Sequence, residues 1–150
     1  MTHPQMAPET RRNYAVPKQF APKSVLLVDA DENSRRILGW LLECDGHLVR
    51  ACGSTAGALD LVERRSFDFV ISDHSSSGID GFRVLETVKQ QNSDTPVLLM
   101  TSEHEMEPYI EAIHRGALDY MCKPIDYGEI QRLLSTHCVW MPSSATKMKV

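Results

Sequence analysis

The sequence predicts a doubly wound α/β domain, in which a parallel sheet carries helices on both faces. Short apolar runs alternate along the chain with segments whose apolar residues recur at three- and four-residue spacing, which is the pattern of strands alternating with helices. The first, third and fourth runs are continuously apolar, as expected for parallel strands that are covered on both faces. Five strands and five helices are predicted in this way.

The predicted strands are short apolar segments bounded by polar or turn residues. They are, in order along the chain, residues 24–29, 47–51, 67–72, 97–100 and 119–122. The fourth strand is preceded by Asp94-Thr95-Pro96, and aspartate and proline favour a turn at that point.

Each strand is followed by a segment with one apolar helical face. These faces consist of Ile37, Leu38, Leu41 and Leu42; Ala58, Leu59 and Val62; Phe82, Leu85 and Val88; Met106, Ile110 and Ile113; and Ile130, Leu133 and Leu134. The first helix is expected to end at Gly46 and the fourth at Gly116, and the third is expected at about 81–90. A capping box, Ser102 with Glu105, is predicted to open the fourth helix, and Asp126 with Glu129 is predicted to cap the fifth.

The predicted domain lies between two flanking segments. Residues 1–22 carry four prolines, few apolar residues and a local basic excess, which predicts a flexible N-terminal arm. Residues 138–150 end in polar and small residues and predict a flexible C-terminal tail. The folded domain is therefore expected at 23–137.

The composition argues against several classes of protein. A net charge of -4 gives no reason to expect binding to nucleic acid or to a membrane, and no apolar run approaches the ~18 residues of a spanning helix. The four cysteines lack Cys-x-x-Cys spacing, so they predict reduced thiols in a cytoplasmic protein. A zinc site has little support, because no His-Glu-x-x-His pattern occurs.

Four of the predicted strands end in side chains that carry chemistry. Strand one ends at Asp29, Asp73 follows strand three, Thr101 follows strand four, and strand five runs into Lys123. Each of these residues alone is more typical of a turn, a strand end or a solvated surface. Together they favour a binding site, because ligands of such sheets bind at the carboxyl ends of the strands.

This set of side chains suits phosphoryl transfer. Two carboxylates about 4 Å apart repel by about 4 kcal/mol at an effective dielectric of about 20, and a divalent cation or a shared proton offsets that repulsion. Oxygen ligands without histidine or thiolate partners favour magnesium. Asp73 would then be the nucleophile, with Lys123 and the metal balancing phosphoryl charge and the Thr101 hydroxyl bonding a phosphoryl oxygen.

Residues 23–137 resemble the receiver domain of bacterial response regulators. The resemblance rests on the Val-Asp after strand one, on Asp73 with Asp80-Gly81 in the next loop, on Thr101, and on the run from Gly116 to Lys123-Pro124. It implies a flavodoxin-like sheet of strand order 2-1-3-4-5, and a cis peptide bond at Lys123-Pro124.

The resemblance also implies a function in two-component signal transduction rather than an enzyme. Asp73 would accept a phosphoryl group from a histidine kinase or phosphotransfer protein, and Asp29, Asp73 and the backbone carbonyl of Ser75 would hold Mg²⁺. Thr101, Lys123 and Tyr120 would bind the phosphoryl group and switch the surface of helix four, strand five and helix five. That surface would act on a downstream protein or an output domain absent from this chain, and it offers a homodimer contact.

Two positions depart from the family pattern. Ala30 stands where the family usually has a second acid that ligates the metal directly, so the magnesium is expected to bind weakly. Asp31 would replace that ligand if the strand persisted, because alternation places 29 and 31 on one side. The loop after Asp73 lacks the usual Met-Pro and is expected to be looser.

Three alternatives remain at this level. A degenerate receiver would bind a partner independently of phosphorylation, as Ala30 and the missing Met-Pro suggest. An aspartate-nucleophile phosphatase using Asp29 and Asp31 would need a further acidic pair after strand four and a cap insertion, and neither is seen. A flavin-binding flavodoxin is disfavoured, because the acidic segment 29–32 occupies the place of a phosphate loop.

Overall fold

The computed structural model describes residues 22–137. Its strands are β1 (Ser24–Val28), β2 (Leu48–Cys52), β3 (Phe69–Asp73), β4 (Val97–Thr101) and β5 (Asp119–Cys122). Its helices are α1 (Glu32–Cys44), α2 (Thr55–Arg64), α3 (Gly81–Gln91), α4 (Met106–His114) and α5 (Tyr127–His137). The strands are all parallel and form one sheet of order β2-β1-β3-β4-β5, which confirms the predicted fold and strand order.

The core is divided by the sheet into two layers. Alternate residues of β1 contribute to opposite layers, with Leu26 and Val28 in one and Val25 and Leu27 in the other. The first layer receives buried side chains from α2, α3 and α4, and the second receives them from α1 and α5. This covering of both faces explains why the central strands are apolar without alternation.

Two of the predicted helical faces are less buried than their apolar spacing suggests. Ile37 of α1 is 62% exposed, and Met106 at the start of α4 is 73% exposed. Ile110 and Ile113 of α4 are also exposed, and the buried residue of that helix is Ala112. Because α4 touches the sheet through this small residue, its larger apolar side chains face outward. The predicted apolar face of this helix is therefore present, but it is not part of the core.

The predicted capping box of α4 is also wrong. The N-cap residue is Glu105, which makes no side-chain cap hydrogen bond. The Glu103 backbone N–H donates to the Thr101 hydroxyl instead, and the Glu103 side chain accepts hydrogen bonds from Ser76. Before α5, the predicted Asp126 side chain does accept a hydrogen bond from the Gly128 backbone, but Glu129 pairs with Arg132 rather than completing a box.

Strand boundaries differ from the prediction by one or two residues. β3 begins at Phe69 rather than at residue 67, and just before it the Asp68 carboxylate accepts a hydrogen bond from the Ser24 backbone. The predicted cis bond at Lys123-Pro124 is confirmed. Among residues 22–137, no helix is long and apolar enough to cross a membrane. Except for residue 22, the predicted arm and tail lie outside the described residues.

Candidate functional site

The strand register brings the predicted site residues to one edge of the sheet. Val28 of β1 is paired with Ser72 of β3, so Asp29 and Asp73 follow side by side at the carboxyl ends of neighbouring strands. Asp73 is in turn paired with Met100, which places Thr101 one residue beyond. This pairing is the physical reason that carboxylates 44 positions apart in the chain share one pocket.

Lys123 connects the two carboxylates. Its Nζ lies 3.1 Å from both oxygens of Asp29 and 2.7 Å from Oδ1 of Asp73. Asp29 is 1% exposed, and the side chains of Asp73 and Lys123 are 13% and 23% exposed. The lysine therefore neutralises part of a buried negative charge. It reaches the pocket because the backbone N–H of Lys123 bonds to the Thr101 carbonyl at the end of β4.

The two oxygens of Asp73 have different surroundings. Oδ2 accepts a hydrogen bond from the Ala30 backbone N–H at 3.1 Å. Oδ1 is buried and has no hydrogen-bond partner, although it lies within ion-pair distance of Lys123. The lysine contact at Oδ1 is therefore ionic and lacks hydrogen-bond geometry. Oδ2 of Asp73 is thus held by a backbone donor, whereas Oδ1 is held by the charge of Lys123.

The surroundings change the protonation of the pocket. Burial and the neighbouring Asp29 carboxylate raise the pKa of Asp73 to about 6, against the lowering effect of Lys123. For Lys123, burial acts to lower the pKa, but the bonds with Asp73 and Asp29 outweigh it and raise the pKa. At neutral pH the pocket thus holds an ammonium group between two carboxylates, and Asp73 takes up a proton readily below about pH 6.

Asp31 points to the helix rather than to the pocket. Its Oδ2 accepts hydrogen bonds from the Ser34 backbone at 3.3 Å and the Ser34 hydroxyl at 2.6 Å, so it is the N-cap of α1. These bonds lower the pKa of Asp31, because they favour its charged form. Its backbone N–H donates to Asp29 Oδ1. The proposed metal role of Asp31 would require it to leave this cap.

Thr101 and Glu103 join the pocket to the neighbouring loop. The Thr101 hydroxyl, which is buried, accepts a hydrogen bond from the Glu103 backbone at 3.0 Å. The Glu103 carboxylate accepts bonds from both the backbone and the hydroxyl of Ser76. The loop after Asp73 was predicted to be loose, but at Ser76 it is tied to the loop that follows β4.

Aromatic side chains lie behind the pocket. Tyr120 is buried against Tyr109 in an edge-on contact, with ring centroids 6.4 Å apart. Burial raises the pKa of Tyr120, and an interaction with Thr101 opposes that effect. His74, which follows the nucleophile candidate, stacks on Phe82 at 4.0 Å. Tyr120 is therefore in contact with the exposed α4 surface on one side and with the pocket on the other.

His74 and Gly81 hold the loop close to Asp73. The Nδ1 atom of His74 accepts a hydrogen bond from the Gly81 backbone, and burial lowers the pKa of His74. A Cβ at position 81 would collide with the Asp73 carbonyl and lie 2.8 Å from the His74 Cβ. Only glycine therefore permits this approach, which gives a physical reason for the Asp80-Gly81 pair.

The residues present fit a divalent cation poorly. The unpartnered Oδ1 of Asp73 suits a cation, but both oxygens of Asp29 already accept hydrogen bonds from Lys123. Ala30 has no ligand atom in its side chain, and Asp31 is engaged at α1. Between residues 22 and 137, no three histidine, cysteine, aspartate or glutamate side chains converge as metal ligands. We therefore derive no chemical step through a metal.

The fold and the pocket together define a class of protein. A five-stranded parallel sheet of order 2-1-3-4-5 with two acids, a hydroxyl and a lysine at its carboxyl edge is the arrangement of a receiver domain. The family profile described as response regulator receiver domain matches residues 25–135. The chain belongs to this family, and it is a receiver domain of two-component signal transduction.

Individual relatives agree with this assignment. The chain is 38% identical over 110 residues to the transcriptional regulatory protein ZraR of Escherichia coli O157:H7, an alignment that covers 73% of this chain and 25% of ZraR. It thus spans about a quarter of the length of this curated relative.

Two solved structures have a similar fold. A putative response regulator from Chloroflexus aurantiacus is 28% identical with a TM-score of 0.70, over 78% of this chain and 98% of that chain. The chemotaxis response regulator CheY4 of Vibrio cholerae is 26% identical with a TM-score of 0.69, over 78% of this chain and 99% of that chain.

Sequence reasoning missed several parts of the site. The Ala30 backbone donor, the His74 ring and the bridge from Ser76 to Glu103 were not predicted. The position of a backbone N–H cannot be predicted from a pattern of side chains. The bridge joins residues 27 positions apart, so no local periodicity could reveal it. The Asp80-Gly81 pair was a usable signal, since it implies a backbone approach that excludes a side chain.

Proposed function

We propose that Asp73 accepts a phosphoryl group from the phosphohistidine of a histidine kinase or phosphotransfer protein. Receiver domains in general interact with such donors. The observation that carries the proposal is the asymmetry of Asp73, whose Oδ2 is fixed by the Ala30 N–H while the buried Oδ1 lies beside the ammonium group of Lys123 without hydrogen-bond geometry. A carboxylate held in this way presents one oxygen for attack without a large loss of rotational freedom.

The transfer step is a nucleophilic displacement at phosphorus. A bond forms between Asp73 and phosphorus, and the bond from phosphorus to the donor imidazole nitrogen breaks, with its electron pair returning to the ring. Lys123, 2.7 Å from Oδ1, lies where it can balance charge on the phosphoryl oxygens. The Thr101 hydroxyl can donate a hydrogen bond to one of these phosphoryl oxygens. To do so it gives up the hydrogen bond that it accepts from the Glu103 backbone.

The predicted magnesium ion stays a prediction. Receiver domains generally bind Mg²⁺ at the acidic pocket, and here its ligands would be Asp29, Asp73 and the carbonyl of Ser75. When bound, the ion supplies positive charge to the phosphoryl oxygens. A weak affinity is consistent with Ala30 and with the hydrogen bonds that already occupy Asp29.

A groove beside the pocket supports docking of the donor. It encloses about 480 Å³ between α1 and α5, and Asp29 and Lys123 are part of its lining. Ile37 and Leu38 of α1 line it together with Ile125. An apolar groove that shares Asp29 and Lys123 with the pocket suits a partner that carries its phosphoryl group on a helix.

The signal would leave the domain through α4, β5 and α5. Tyr120 contacts Tyr109 of α4, and Met106, Ile110 and Ile113 form an exposed apolar patch on that helix. We propose that this surface binds a downstream protein or an output domain, or a second copy of the chain. The cytoplasmic location and the absence of enzymatic turnover stay predictions. The degenerate-receiver alternative is not favoured, because the matched relatives are response regulators.

The central test is the mass of the protein after incubation with a small phosphodonor and magnesium. One phosphoryl group should be added, and Asp73→Asn should abolish the adduct while Asp60→Asn, a change of an exposed carboxylate on α2, should leave it intact. An adduct that persists in Asp73→Asn, or no adduct at saturating magnesium, would contradict the proposal.

A further inference from the structure

We propose that the outer edge of β2, together with the side of α1 above it, binds an acidic segment of a partner protein as an added strand. The binding surface is a groove of about 620 Å³ bounded by Arg36 and Trp40 of α1 and by Val49 and Ala51 of β2, and we call it the edge groove. β2 and β5 are the two outermost strands of the sheet. The edge groove is therefore separate from the surface of α4, β5 and α5.

The backbone of β2 has one edge without a partner strand within residues 22–137. There β2 pairs only with β1, and the Leu48 N–H and the Cys52 carbonyl both form their hydrogen bonds on the β1 side. Because alternate residues of a parallel strand form hydrogen bonds on opposite sides, the N–H and C=O groups of Val49 and Ala51 face away from β1. Such an edge is a template for a further strand.

The helix above β2 extends beyond the strand that it covers. Val49 packs in the core layer of α1 and α5, so Val49 and Ala51, two residues apart, both face α1. Trp40 lines the groove with them, yet it is 63% exposed. A strand added about 4.8 Å beyond β2 would lie under Trp40 and shield its indole from water. The unpaired backbone and the uncovered aromatic side chain thus call for the same occupant.

The charge around the groove selects the chemistry of that occupant. Arg36 and Arg50 are exposed, and Arg65 lines a neighbouring cavity together with Arg50. None of these three arginines forms an ion pair with another described residue. Glu43 is the only acidic residue in the lining of either cavity. The surface is therefore basic although the chain has a net charge of -4, and it complements an acidic segment.

The same charges argue against two other occupants. If two copies paired edge to edge about Arg50, the middle residue of β2, the two arginines would face each other, and like charges opposite one another destabilise a strand pair. Residues 1–21 and 138–150 each carry more basic than acidic residues, so neither complements the arginines. A segment that alternates acidic and apolar residues matches both faces, with its apolar side toward Trp40 and its acidic side toward Arg50.

The experiment measures the binding of a synthetic peptide to the full-length chain by fluorescence anisotropy. The probe is a labelled peptide of about ten residues that alternates glutamate with valine. One control peptide has lysine in place of glutamate, which reverses the charge. The other has N-methylated valines, which cannot donate hydrogen bonds to the strand edge. The wild type should bind the acidic peptide at least about tenfold more tightly than either control.

Two variants test the two walls of the groove. Trp40→Ala and Arg50→Glu should each weaken the binding of the acidic peptide by at least about tenfold, and Arg50→Glu should bind the lysine peptide more tightly than the wild type does. Arg83→Glu is the matched control, because it reverses the charge of an exposed arginine on α3, and it should change the affinity by less than about threefold. Circular dichroism checks that each variant is folded.

Three results would overturn the proposal. The first is an equal affinity for the acidic and lysine peptides, and the second is an unchanged affinity in both Trp40→Ala and Arg50→Glu. The third is slow amide hydrogen exchange at Val49 and Ala51 in the chain without peptide. Protection at every protein concentration would mean that the chain itself covers the edge, and protection that increases with concentration would mean that a second copy does.

This proposal stands apart from the proposed function. Trp40 is not in the lining of the groove proposed for the phosphodonor, so Trp40→Ala should give the same phosphoryl adduct as the wild type. A normal adduct without peptide binding rejects the edge groove and leaves Asp73 as the acceptor. Peptide binding without an adduct rejects the acceptor and leaves the edge groove.

Discussion

Replacing Asp73 with asparagine should stabilise the fold at neutral pH. The carboxylate is buried beside Asp29, and its pKa is raised from 3.8 to about 6. The native state therefore binds this proton more tightly than the unfolded chain does. Asparagine keeps an oxygen for the Ala30 N–H and removes the charge that opposes Asp29, while Lys123 remains paired with Asp29.

The magnitude follows from the pKa difference. The change from 3.8 to about 6 is about two pH units, and at about 1.4 kcal/mol per unit it gives an upper bound of about 3 kcal/mol. The Asp73 side chain retains 13% exposure, and solvent screening reduces the effect. We expect Asp73→Asn to raise the free energy of unfolding by about 1–2 kcal/mol above pH 7.

The dependence of the free energy of unfolding on pH tests the direction of this effect a second time. A raised pKa in the folded state means that the contribution of Asp73 is most favourable below about pH 4 and is lost as pH rises through about 6. The difference in the free energy of unfolding between Asp73→Asn and the wild type should therefore be largest at pH 8. It should decrease as the pH falls from 6 to 4.

Urea unfolding followed by circular dichroism at a series of pH values measures this gap. Asp60→Asn serves as the control, because Asp60 is an exposed partner of Arg64, and exposed pairs of this kind contribute about 0.3–0.5 kcal/mol. A wild type as stable as Asp73→Asn at pH 8, or a gap that does not change with pH, would refute the reasoning.

Three further changes test other parts of the site. Lys123→Gln should lower the free energy of unfolding by about 1–3 kcal/mol at pH 8, because it leaves two buried carboxylates without their ammonium partner. This loss of free energy of unfolding should be smaller near pH 5, because Asp73 is then protonated. Asp31→Ala should lower the urea concentration at the midpoint of unfolding by removing the α1 cap, while calorimetry should find the magnesium affinity unchanged. Ile37→Glu should slow phosphorylation by a phosphohistidine donor at least about tenfold by placing a charge in an apolar contact, and the rate with a small phosphodonor should not change.

The architecture was predictable because it depends on local patterns. Continuous apolar runs at β1, β3 and β4 indicate strands that are covered on both faces, and the helical segments between them indicate the covering layers. The carboxyl ends of parallel strands share one edge of the sheet, so Asp29, Asp73 and Lys123 could be expected to meet. The ion pairs of Lys123 with Asp29 and Asp73 in the structure agree with that expectation.

The errors occurred where two local patterns compete for one residue. Ser102 and Glu105 have the spacing of a capping box, but Glu103 is drawn to Ser76 in another loop and its N–H to Thr101. Asp31 has the alternation of a second pocket acid, and its metal role stays a prediction, but in the structure its carboxylate caps α1. In each case a contact that spacing does not specify decides which pattern forms.

Burial was the other property that spacing did not settle. The apolar spacing in α4 is the same whether the helix turns that face to the core or to solvent. In the structure the helix contacts the sheet through Ala112, and Met106, Ile110 and Ile113 remain exposed. Only the packing of the neighbouring elements distinguishes such an exposed apolar face from a core face.

The sequence by itself therefore determined the order of strands and helices and the acidic, hydroxyl and lysine residues at the ends of the strands. Those properties follow from periodicity and from residues that are close together in the chain. The tertiary structure alone decided that Lys123 binds both oxygens of Asp29, 94 residues away, and that one oxygen of Asp73 stays without a hydrogen bond. Such contacts depend on strand register and loop packing, and these in turn depend on the whole core at once.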